Sequence, residues 1–145
     1  MPFRFPLASV LRVRKSIEKR EEIALQGVQL EVARVRRRID ELTEELANSC
    51  QAREKALRRT IQANQLQTMQ VEMNAAVEAK QILSDTLHTL KHQRDMQMKV
   101  YTKAHCGRQM LTDLLAQQKS AYELNQMRTQ QKRLDDIIAS RWQRT

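Results

Sequence analysis

The sequence predicts an all-α protein: two long helices folded back on each other as an antiparallel coiled-coil hairpin. Three observations lead there. Between Ile17 and Leu46, the residues Ile17, Ala24, Val28, Val35, Ile39, Leu42 and Leu46 recur at spacings built from threes and fours, which sets them on one stripe of a helix. A stripe so narrow suits one matching partner helix, and the second half of the chain supplies the candidate. Finally, 145 residues contain only two Gly and two Pro, while 30% are charged. Strong helix formers with so few breakers read as long helices around a thin core.

The first helix is expected from about residue 7 to about residue 61. Pro6 suits a first helical turn, where its missing N–H costs nothing. The pairs Arg14–Glu18, Arg36–Asp40, Arg37–Glu41 and Glu54–Arg58 lace its outer face and mark it as exposed, at a few tenths of a kcal/mol each. Arg34, Arg36, Arg37 and Arg38 wrap around most of the helix, so they read first as a solvated surface balanced by Asp40, Glu41, Glu44 and Glu45.

Residues 62–73, QANQLQTMQVEM, carry one charge and no clean heptad. The chain reversal is expected here, because an unbroken helix of this length would run to about 200 Å. The second helix is expected over about 74–142, with Leu83, Leu87, Leu90, Met98, Tyr101, Leu111, Leu115, Tyr122, Leu134 and Ile137 on its stripe. His105 and basic residues interrupt that stripe between Arg94 and Arg108. Lys91–Asp95–Lys99 and Lys132–Asp136 repeat the surface pairing. Gly107 costs about 1 kcal/mol against Ala and reads as a tolerated defect or a close approach. One coiled-coil domain, residues 1–145, accounts for the chain.

The formal charge is +9, from 26 basic and 17 acidic residues. Residues 1–60 hold 14 basic and 9 acidic groups (+5), and residues 61–145 hold 12 and 8 (+4). A surface of spread positive charge attracts acidic proteins, nucleic acid or anionic lipid alike. Aligning the chain ends pairs residue i with about residue 147 minus i. Cys50 then faces Gln97 and Cys106 faces Glu41, which leaves the thiols about 13 Å out of register and beyond disulfide reach. Two reduced cysteines in a cytosolic protein are expected. No window approaches the eighteen apolar residues of a membrane span.

Chemistry is sparse. His88 and His92 share a helical face, but no Cys or carboxylate at suitable spacing completes a zinc site, and His105 is remote. Two glycines and a two-helix frame build neither a phosphate loop nor a nucleophile site. No metal, no cofactor and no enzymatic activity are expected; the chain works by touching others. Its best interface candidates lie at the termini, which a level hairpin brings together: Phe3, Phe5 and Leu7 from one, Ile138 and Trp142 from the other, with Arg4, Arg12, Arg14, Arg133, Arg141 and Arg144. Aromatic residues and arginines are the usual carriers of interface energy. Alternatively, Phe3 and Phe5 cap the seam with Trp142 covering them. A second candidate is the charge-poor hinge, whose Leu66, Met69, Val71 and Met73 form a soft patch.

The opening FRFPLASVLRVRKSIEKREEIALQ, through Phe3, Phe5, Leu7, Val10, Leu11, Arg14, Glu18 and Gln26, resembles the start of the flagellar FliJ family. The closing YELNQMRTQQKRLDDIIASRW, through Glu123, Arg128, Gln131, Lys132, Asp135 and Arg141, resembles that family's C-terminal segment. The resemblance covers essentially the whole chain. It implies a fold similar to the γ-subunit stalk of rotary ATP synthases and a place in the flagellar type III export apparatus, cytoplasmic and peripheral to the inner membrane. It also implies partners: the hexameric export ATPase, the cytoplasmic domain of the export gate, and export chaperones. The ATPase-binding end would be Phe3, Phe5, Leu7, Arg12 and Arg14 with Arg133, Arg141 and Trp142. The gate-facing region would be Ala56, Leu66, Met69, Met73 and Val77. Two other readings remain open: a stalk protein of a virulence type III secretion system, and a basic coiled coil associated with nucleic acid, which would bind with strong salt dependence.

Overall fold

A computed structural model describes residues 2–144. Two helices account for nearly all of them: α1, Ala8–Leu57, and α2, Ala63–Arg144. They pack against each other as a helical hairpin, with no strand among the described residues. Ahead of α1, residues 2–5 form no regular secondary structure. Pro6 and Leu7 then form a turn, in which the Ala8 amide donates to the Phe5 carbonyl at 3.1 Å.

The reversal occupies residues 58–62, which corrects the expected hinge at 62–73. All but the first of those twelve residues belong to the opening turns of α2. Loss of heptad rhythm did not mark the break. Thr60 and Ile61, consecutive β-branched residues that lower helix propensity slightly, fall within it. Before them, the Arg59 amide donates to the Ala56 carbonyl at 3.1 Å, a tightened last turn. Lys55, Arg58 and Arg59 place positive charge at the negative end of the helix dipole. The Gln62 carbonyl accepts from the Gln65 and Leu66 amides and opens α2.

The packing divides into two compact units: residues 21–100, and residues 1–20 with 101–145. In the first, Leu25, Val32 and Leu42 of α1 are buried, with Val28, Val35, Ile39, Leu46, Ser49, Arg53 and Ala56 half-buried. Facing them on α2 are the half-buried Leu66, Met69, Met73, Ala76, Lys80, Leu83, Leu87, Leu90, Arg94 and Gln97. Successive positions on both helices are three or four residues apart, the seven-residue repeat of a coiled-coil seam. The expected α1 stripe named Ala24, but Leu25 takes the seam; on α2, Gln97 takes the place expected for Met98, which is 41% exposed.

Polar residues on this seam are matched. Gln97 donates to the Glu21 carboxylate at 2.7 Å and to its carbonyl at 3.2 Å. Arg53 donates to Gln70 at 2.7 Å. These pairs run antiparallel, their residue numbers adding to about 120 where level chain ends required about 147.

In the other unit, Leu11 of α1 and Ala104 of α2 are buried. Tyr101, Arg108, Leu111, Leu115, Gln118 and Tyr122 continue the three-and-four rhythm at half-buried positions. Phe3 stacks at a tilt on Tyr122, ring centroids 5.4 Å apart, and the Arg14 guanidinium crosses α2 at Gly107. This pairing is also antiparallel. Both cysteines are free thiols and exposed.

Candidate functional site

Two features stand out in the unit formed by residues 1–20 and 101–145. The first is an ion cluster on its seam. Glu18 of α1 accepts from Arg108 of α2 through both Nε and Nη2, the latter at 3.3 Å, and lies 3.2 Å from His105 Nδ1. The Glu18 and Arg108 side chains are only 17% and 20% exposed. Arg108's hydrogen bond holds the Glu18 carboxyl below its ordinary value of 4.5, against the opposing effect of burial. The same pairing raises the Arg108 pKa. Tyr101 stacks on the His105 ring at 6.0 Å. The expected same-helix partner of Glu18 was Arg14; the cross-helix partners win because they offer a two-pronged guanidinium contact.

The second feature is the end of α2. Tyr122 is the last half-buried residue, and every described residue from 123 to 144 is exposed. The helix thus runs about 33 Å past its contact with Phe3. Its composition does not explain that exposure: Leu124, Met127, Leu134, Ile137, Ile138 and Trp142 are 48–79% exposed.

Helix geometry explains it. At 3.6 residues per turn, Leu124, Met127, Leu134 and Ile138 lie roughly 160° around α2 from the stripe of Leu111, Leu115, Gln118 and Tyr122. Beyond Tyr122 the seam positions continue as Asn125, Thr129, Lys132 and Asp136, all polar. The apolar face changes sides past the point where Phe3, ahead of α1, already meets Tyr122, so α1, which begins at Ala8, does not lie opposite it.

This separates the residues expected to share one end. Phe3 and Phe5 are half-buried, Leu7 is 36% exposed, and Arg12 and Arg14 are exposed; Phe3 meets Tyr122, whereas Arg14 lies farther back, at Gly107. Arg133, Arg141 and Trp142 lie farther along α2, and Trp142 is about 30 Å from Tyr122. Trp142 therefore does not cover Phe3 and Phe5; Tyr122 meets Phe3 instead. Leu134 and Ile137, expected on the seam, are 60% and 51% exposed, beyond the last half-buried residue. Leu124 and Met127 were missed as surface candidates, although the phase shift after Tyr122 is visible in the sequence.

The hinge-side candidates fall in the unit of residues 21–100. Ala56, Leu66, Met69 and Met73 are half-buried on the seam, while Val77 is 55% and Val71 61% exposed. The arginine run is exposed, with Arg34 on Glu31 at 2.8 Å and Arg38 on Glu41 at 3.2 Å. Among the described residues, no His, Cys, Asp and Glu group could hold a metal, and no helix is long and apolar enough to cross a membrane.

Residues 3–145 match the family described as "Flagellar FliJ protein". The chain belongs to the FliJ family. No curated protein and no solved structure matches it. Membership makes this FliJ-family chain a component of the flagellar protein export apparatus, and its paired helices fit the coiled-coil character of that family.

Proposed function

We propose that this chain is the stalk of the flagellar type III export ATPase complex. In this reading it binds the hexameric ATPase through the end carrying the exposed apolar face of α2, promotes ring assembly or activity, and couples the ring to the export gate. The observation that carries it is that face: six large apolar residues between 124 and 142, at least 48% exposed each, flanked by Arg133 and Arg141. An exposed tryptophan among arginines has the composition of an interface hot spot. Ring contact centres on Leu134, Ile138, Arg141 and Trp142, with Arg133 beside them. Phe3 braces α2 at Tyr122, Phe5 and Leu7 stand beside it in sequence, and Arg12 and Arg14 add positive charge along the same unit.

The gate's cytoplasmic domain is assigned to the region from Ala56 to Val77. There Val71 and Val77 offer the contact surface, while Leu66, Met69 and Met73 shape it from the seam. Export chaperones are further partners, and the site of action is the cytoplasmic face of the inner membrane at the flagellar base. The match to a flagellar family favours this machine over a virulence secretion system.

The test is ATP hydrolysis by the export ATPase of the same organism with this chain added. Stimulation is expected from the parent chain, and is expected to disappear in a Leu134→Ser, Ile138→Ser, Trp142→Ala variant that keeps its helix content. Deleting residues 1–11 is expected to weaken stimulation less than the triple substitution does. Failure of the parent chain either to bind or to stimulate the ATPase would end the stalk reading.

A further inference from the structure

The exposed stripe at the end of α2 is complementary to itself when reversed. Leu124, Met127, Gln131, Leu134, Ile138 and Arg141 follow the three-and-four spacing of a coiled-coil core. The charges flanking this core are Glu123, Arg128, Asp135 and Arg144. In an antiparallel pair of such helices, residues meet in the layers Leu124–Arg141, Met127–Ile138 and Gln131–Leu134, each repeated by the two-fold axis. That register sets Arg128 of one copy beside Asp135 of the other, and Glu123 beside Arg144, each again twice. Every flanking acid thereby meets a base. A parallel pair would join Glu123 to Arg128 but leave Asp135 opposite Gln130.

We propose that the chain forms an antiparallel homodimer through residues 124–141 of α2. The occupant of the apolar face is a second copy of the same segment, selected by charge. Core and flanks then agree in one register, and Gln131, close to its own mate near the axis, penalises slipped alternatives as polar core residues do. A dimer of this kind covers Leu134 and Ile138, so it excludes any other partner from the same face. The proposal does not rest on the ring-binding reading, because it concerns the chain alone.

Sedimentation equilibrium of the full chain, over about two decades of concentration, tests it. The parent is expected to pass from monomer to dimer. Arg128→Glu, which faces Asp135 with a like charge, is expected to weaken dimerisation by about tenfold, and Asp135→Arg likewise. The double variant Arg128→Glu, Asp135→Arg is expected to return to within about threefold of the parent. Both positions are exposed, so helix content by circular dichroism should be unchanged and the comparison stays interpretable. A chain that remains monomeric overturns the proposal. So does a dimer indifferent to Arg128→Glu, or a double variant no stronger than the single ones. None of these measurements involves the ATPase, so loss of the dimer leaves ring binding standing, and loss of ring binding leaves the dimer standing.

Discussion

Single residues show how polar groups are accommodated on a two-helix seam. Glu18 is ionised against Arg108 and His105, with its pKa lowered chiefly by the Arg108 hydrogen bond. A carboxyl with a lowered folded-state pKa contributes stability above its unfolded value, and that contribution is lost as pH falls through the folded value. Glu18→Gln is therefore expected to destabilise the protein at neutral pH, with the difference from the parent shrinking well below pH 4.5. Urea unfolding at pH 7 and pH 3 measures it. The glycines behave differently. A Cβ at Gly27 meets nothing within 4 Å, and one at Gly107 meets only the flexible end of Arg14, at 3.5 Å. Both residues sit inside helices, so Gly27→Ala and Gly107→Ala should each stabilise by about 0.5–1 kcal/mol, seen as a raised Tm. Gly107 was legible as a cost in the sequence. That a side chain crosses there was not, because the crossing depends on which residue of α1 lies opposite.

The helices carry their stability unevenly along their faces. Val32 and Leu42 are 4% and 5% exposed, whereas Leu30, on the same helix, is 68% exposed. Leu42→Ala is expected to cost about 2–4 kcal/mol, and Leu30→Ala to stay within about 0.5 kcal/mol of the parent. Denaturant midpoints compared at a common slope distinguish the two. The α1 stripe was readable because three-and-four spacing is a local property of the chain. The end of α1 was misplaced because charge density and heptad rhythm, used to find it, report on the helix surface. The break itself is set in the backbone, where the last turn of α1 tightens at Arg59 and α2 opens at Gln62.

For the molecule as a whole, the packing of the two helices and the proposed ring-binding face fall on different residues. Every buried or half-buried described residue lies at or before Tyr122. Truncation after Tyr122 is accordingly expected to shift Tm by less than about 4 °C, while abolishing both self-association and stimulation of the export ATPase. A large loss of helix packing on truncation, read by near-ultraviolet circular dichroism and Tm, would show that residues 123–144 support the fold after all. The +9 charge does not select among partners, since its excess is spread along the chain.

By itself, the sequence determined that the chain is two long helices, which faces of them are apolar, and that FliJ-family motifs stand at both ends. These follow from spacing, composition and residue type, which are local. Only the tertiary structure decided the register. With the reversal at 58–62 and not ten residues later, Phe3 meets Tyr122 instead of Trp142, Glu18 meets Arg108, and the last turns of α2 are left exposed. Many registers satisfy a heptad pattern nearly equally, because each step of seven returns apolar residues to the same seam. The choice among them falls to where the backbone turns and to which polar residues find partners across the seam.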